Sequence, residues 1–118
     1  MILVDTSVWA DHLRSSDRDL SELLSSGEIL THRFVIEELA CGHLPDRKDF
    51  LQMIHKVRQA PIASHQEILE LIAIQKLCGT GLGSVDLHLI GSAMLAGAKI
   101  WSRDKALARE AAKLGISV

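Results

Sequence analysis

The chain has 118 residues, enough for one hydrophobic core and too few for two. Hydrophobic residues make up 47% and charged residues 24%, a globular composition, and a net charge of −2 argues against general electrostatic attraction as the means of gripping a nucleic acid. Trp9, Trp101, Phe34 and Phe50 are the whole aromatic set, too few for a base-stacking platform, and no apolar run approaches the roughly 18 residues of a membrane helix.

Residues 2–5 read as a short strand, apolar on both faces until Asp5. That early acid, with no basic run before it, predicts that no secretory leader is present. Thr6 and Ser7 are helix-capping types, and residues 8–13 should be helical behind them. Leu20, Leu23 and Leu24 repeat at helical spacing, a segment that Ser25, Ser26 and Gly27 end. Residues 29–31 form a second strand candidate. Residues 33–41 predict a helix that Gly42 closes as a left-handed C-terminal glycine.

Leu44, Pro45 and Asp46 make a turn, after which Phe50, Leu51, Ile54 and Val57 mark a further helix. A connecting strand is expected around residues 60–62. A helix should run from 65 to 78 with Ile68, Leu69, Ile72 and Leu77 on its apolar face. Gly79, Gly81 and Gly83 punctuate a loop. Ser84 is expected to cap an apolar helix reaching about residue 96 and stopped by Gly97. Residues 99–101 read as a strand, 104–113 as a helix and 116–118 as a last strand. Short apolar strands alternating with helices predict an α/β fold, one domain over residues 1–118, with a central parallel sheet flanked by helices on both faces.

Asp5, Glu38, Asp86 and Asp104 each border a hydrophobic segment, where a carboxylate is costly unless its charge is compensated. Asp5 and Asp104 follow predicted strands, so both belong at the sheet edge where sites of open parallel sheets form. Asp86 falls in the first turn of a helix, and Glu38 near the end of another, with apolar neighbours that predict partial burial. The four can therefore converge. Clustered carboxylates keep their charges only beside cations, and hard oxygen donors suit Mg²⁺ or Mn²⁺. Such a metal can polarise a phosphoryl oxygen and activate water for in-line phosphodiester hydrolysis. Each acid also has a plainer role: Asp5 and Asp104 as helix caps, Asp86 as a partner of the helix dipole worth ~0.3–1 kcal/mol.

The segments around these acids resemble a known family. Ile2-Leu3-Val4-Asp5-Thr6-Ser7-Val8-Trp9 is similar to the opening motif of PIN-domain proteins, specifically the VapC-type toxins of toxin–antitoxin pairs. Glu38-Leu39-Ala40-Cys41-Gly42 resembles their E-L-x-x-G segment, which selects Glu38 over Glu37. The run from Ser84 to Ala93 resembles the helix bearing the third acid, and Trp101-Ser102-Arg103-Asp104 the segment bearing the fourth. The resemblance implies a PIN sandwich with Mg²⁺- or Mn²⁺-dependent endoribonuclease activity in the cytoplasm. It also implies Asp5, Glu38, Asp86 and Asp104 as catalytic metal ligands, and Thr6, Ser7 and Ser102 as supporting hydroxyls. A VapB-type antitoxin as partner and a homodimer belong to the same expectation. The segment between Gly42 and His65 matches least.

Arg14 and Arg103 are candidate phosphate contacts within a local basic rim that includes Arg33, Arg47, Lys48 and Lys105. The glycine-rich loop at 79–83 follows a helix rather than a strand, which argues against a dinucleotide fingerprint. Cys41 and Cys78 lack metal-ligand spacing and are expected to be buried thiols in a reducing compartment. His12, His32, His43, His55 and His65 are expected at the surface, His88 in a structural role, and Trp9 and Trp101 in the core or an interface. Two other functions compete. A haloacid-dehalogenase-type phosphatase also begins strand–Asp but needs a second Asp where this chain has Ser7. A catalytically weak RNA-binding or regulatory module would keep the fold without turnover.

Overall fold

The computed structural model describes residues 1–118. Leu3 and Val4 are fully buried, which places the first strand, β1 (Ile2–Val4), at the centre of the molecule. It pairs in parallel with β2 (Ile29–Leu30) on one side and β3 (Lys99–Trp101) on the other, Leu3 opposite Leu30 and Ile100. The sheet order is β2-β1-β3, and each parallel crossover is made by helices. The result is an α/β/α sandwich, as expected.

Seven helices surround the sheet: α1 (Thr6–Arg14), α2 (Arg18–Ser25), α3 (Arg33–Cys41), α4 (Arg47–Lys56), α5 (His65–Ile74), α6 (Ser84–Ala96) and α7 (Lys105–Lys113). Val8 and Trp9 of α1, Val35 of α3, Leu89 and Ile90 of α6 and Leu107 of α7 all reach one core with the strands. Burying such side chains contributes roughly 1.5–3 kcal/mol each, so the helices owe their positions to the sheet more than to local propensity. At Gly91 α6 runs close against α5: a Cβ there would stand 2.9 Å from Ile68 Cδ1 and 3.3 Å from Ala63 Cβ.

Several expectations are corrected. The segment at 60–62 forms no strand; one parallel bridge joins Thr31 to Gln59, held by Thr31 N–H to Arg58 O and Ala60 N–H to Thr31 O. The C-terminal segment likewise touches β3 through a single bridge, Ile100 to Ser117, held by Ile100 N–H to Ile116 O and Val118 N–H to Ile100 O. Helix α5 ends at Ile74, and Lys76 turns to a left-handed φ of 54°. Leu77 therefore enters the core from a loop. Gly42 sits in extended backbone and is no left-handed cap, whereas Gly97 takes the left-handed conformation, φ 63°, at the end of α6. Thr6 and Ser84 are first helical residues, with Asp5 and Gly83 at the caps. Both cysteines are exposed and free. No helix is long and apolar enough to cross a membrane.

Candidate functional site

Asp5 leaves β1 and opens α1, 6% exposed. A capping aspartate normally spends its carboxylate on the following backbone N–H groups, but Asp5 makes no such bond. Its Oδ2 instead accepts from two hydroxyls, Ser7 Oγ and Ser102 Oγ, each at 2.7 Å. Both hydroxyls are held in turn: Arg103 N–H donates to Ser7 Oγ and Asp104 N–H to Ser102 Oγ, each at 3.0 Å. A hydroxyl that accepts a backbone N–H has its single proton to give elsewhere, so both point it at Asp5. The loop after β3 is thereby locked onto the end of β1.

Asp104 does cap α7, through Leu107 N–H to its Oδ2 at 3.1 Å, as the plainer reading expected. Asp86, in the first turn of α6, reaches back to Gly83 N–H with Oδ2 at 3.1 Å. That loop is braced from α7 by Arg109 Nη2, which donates to Thr80 O. Glu38 accepts from Thr6 Oγ1 at 2.5 Å. Its expected partial burial is corrected: Glu38 is exposed, since it sits on the solvent side of α3 with Leu39 beside it in the core. Glu37 makes no such contact.

The four carboxylates share one pattern. Each is anchored by protein donors through one oxygen, and the other oxygen has no protein donor. The buried polar atoms without partners are Trp9 Nε1, Thr31 Oγ1 and His88 Nδ1, so the spare oxygens of Asp5 and Asp86 reach solvent. They also feel one another. Asp86 is pushed above the usual carboxylate range, first by burial and then by the charges of Asp5, Asp104 and Glu38, against the lowering hydrogen bond from Gly83.

No three His, Cys, Asp or Glu side chains stand together closely enough to form a metal-binding group. The donor set still fits a small hard cation, because Mg²⁺ commonly keeps several waters and takes only one or two carboxylates from the protein.

Arg103, next to Asp104 in the chain, is not free. Its guanidinium pairs with Asp11 at 2.8 Å and with Asp17, and lies 5.6 Å from the centre of the Trp101 ring. Arg14 is largely exposed and pairs with Asp11. These pairs hold Asp11 and Asp17 below, and Arg103 above, their ordinary values; for Asp17 the Leu20 N–H is the largest cause. Asp11 and Asp17 went unnoticed in the sequence, where two acids in polar surroundings give no signal. His32 is a second correction: expected at the surface, it is fully buried.

The PIN domain family model matches residues 2–113. Two curated relatives are the proteins named Ribonuclease VapC32 from Mycobacterium tuberculosis strains CDC 1551 / Oshkosh and ATCC 25618 / H37Rv. Each is 45% identical over 119 residues, covering 100% of this chain and 96% of the relative.

Proposed function

Because this chain belongs to the PIN-domain family and is of the VapC type, we propose that it is a metal-dependent endoribonuclease and the toxin of a toxin–antitoxin pair. The relatives are named as ribonucleases over their nearly full length, which supports RNA as the substrate. One observation carries the mechanism. Four carboxylates are each anchored through one oxygen with the other left over, and three of them raise the proton affinity of the fourth.

Asp5, Glu38, Asp86 and Asp104 would hold Mg²⁺ or Mn²⁺, and a cation there polarises the scissile phosphoryl oxygen and makes a nearby water acidic enough to attack. The chain's own residues do the rest. Ser7 and Ser102 orient Asp5 by donating to one of its oxygens and leaving the other available. Thr6 orients Glu38 in the same way. Arg14, and Arg103 when exchanged from Asp11 and Asp17, would meet RNA phosphates. With a net charge of −2, the local cations and the bound metal would bring the substrate in.

A VapB-type antitoxin would occlude the cleft. A homodimer is proposed on the apolar strip of α5 and α6, where Ile74 is 72% and Leu95 53% exposed next to Met94. Such a protein would work in the cytoplasm, where its RNA is.

The test is cleavage of single-stranded RNA by the purified protein with Mg²⁺, with Mn²⁺ and with chelator, beside Asp5→Asn and Asp86→Asn. Cleavage should need metal and be lost in both variants. Equal cleavage by the variants would overturn the assignment, and tight RNA binding without cleavage would favour a binding module. The phosphatase alternative stays disfavoured by Ser7, whose hydroxyl is engaged with Asp5.

A further inference from the structure

Glu38 and Asp86 ride on helices that pack against different neighbours, α3 on α1 and α4, α6 on α5 and β3. One buried side chain touches both. His32, 0% exposed, precedes α3, and its Nδ1 accepts the Phe34 backbone N–H at 3.0 Å as a helix cap. A neutral imidazole that accepts at Nδ1 carries its proton on Nε2. That nitrogen lies 3.1 Å from Oγ of Ser92, itself fully buried in α6, and so donates to it. Phe34 adds a second strut, its ring 5.0 Å from His32 and 5.0 Å from His88 of α6. Burial first, then the charges of His88 and Arg33, bring His32 down to about 4, which keeps the ring neutral at pH 7.

We propose that His32 is a positioning residue for the acidic cleft, its hydrogen bond to Ser92 setting the distance between Glu38 on α3 and Asp86 on α6 and thereby the strength of divalent-cation binding. The proposal rests on reading those two acids as cation ligands. Each acid lies six positions along its helix from its end of the tie, 32 to 38 and 86 to 92. That is roughly 9 Å of helix, short and stiff enough to pass on a shift.

Binding of Mn²⁺, followed by electron paramagnetic resonance without RNA, tests it. Ser92→Ala removes the acceptor without touching α3. His32→Asn keeps a side-chain oxygen to cap Phe34 but is too short to reach Ser92. Each should raise the Mn²⁺ dissociation constant about tenfold, the lower end for a group that orients ligands. The double variant should be little worse than either, because both changes cut one bond. Ile54→Val in the α4 core should lower the melting temperature and leave Mn²⁺ binding alone.

A folded Ser92→Ala protein that binds Mn²⁺ within twofold of the unaltered chain overturns the proposal, as does an Ile54→Val loss of equal size or full additivity in the double variant. Ser92→Ala decides alone if His32→Asn fails to fold. Glu38→Gln and Asp86→Asn separate the two readings. If both leave Mn²⁺ binding intact, the cation reading fails; if they weaken it and Ser92→Ala does not, only the tie fails.

Discussion

The two halves of the acidic cleft are built differently. Asp5 and Asp104 stand at the ends of adjacent parallel strands, joined through Ser7, Ser102 and two backbone N–H groups. Glu38 and Asp86 stand on helices, with one hydroxyl on Glu38 and one backbone N–H on Asp86. The strand half is fixed by the sheet register itself. The helix half is only as well placed as the packing of α3 and α6. The strand half forms a floor and the helix half a wall, with more hydrogen bonds fixing the floor than the wall.

The largest effect expected from this contrast is at the floor. Asp5→Asn removes the negative charge and replaces one acceptor oxygen by an NH₂ donor, and RNA cleavage should fall on the order of 10³-fold, as for loss of a central electrostatic contact. A loss under tenfold would mean the floor is not where charge is needed. In the wall, acid should matter most. His32 is held near 4 against 6.5 when unfolded, chiefly by burial with help from His88 and Arg33. A depressed histidine gives its full stability above pH 6.5 and loses it as pH falls toward 4, because the unfolded chain takes up the proton first. Denaturant titrations at pH 7 and pH 4 should differ by about 3 kcal/mol from this residue, and Ser92→Ala should change that difference. An unchanged profile would show that the buried imidazole plays no part in holding the wall.

Smaller effects rank the two halves directly. Ser102→Ala loosens Asp5 and frees Asp104 N–H together, so metal activation of cleavage should need 10- to 100-fold more Mg²⁺, about the range for groups that orient ligands. Thr6→Val removes only the bond to Glu38, an exposed side chain, and should cost no more than about tenfold by the same reasoning. If Thr6→Val is the more damaging change, the contrast between floor and wall is reversed.

The sequence makes the floor legible and the wall much less so. A strand of three apolar residues that stops at an acid can be read from Ile2 to Asp5, and a second short strand ending in Ile100-Trp101 is followed by Asp104 after two polar residues, so the site edge is visible before any coordinates. Helix α3 is equally plain, bounded as expected at Arg33 and Cys41. What is missed depends on long-range packing. Nothing local distinguishes a buried His32 from an exposed one, since one of the groups it meets in the interior, Ser92, lies sixty positions away. Glu38 misleads in the opposite sense, because apolar neighbours on a helix face the core while the residue between them faces out. The expected strand at 60–62 is absent, with one bridge just before it at Gln59, and that at 116–118 reduces to a single bridge at Ser117; apolar composition does not say whether a partner edge is long enough.

Whether Asp5, Glu38, Asp86 and Asp104 gather one cation is measured directly by a Mn²⁺ soak of crystals of the protein, the ion being located by its anomalous signal. The prediction is one ion bounded by spare oxygens of Asp5 and Asp86 at about 2.1 Å, with Asp104 and Glu38 reaching it directly or through water. An ion bound elsewhere, or a cleft that stays empty at Mn²⁺ concentrations that support cleavage, would contradict it.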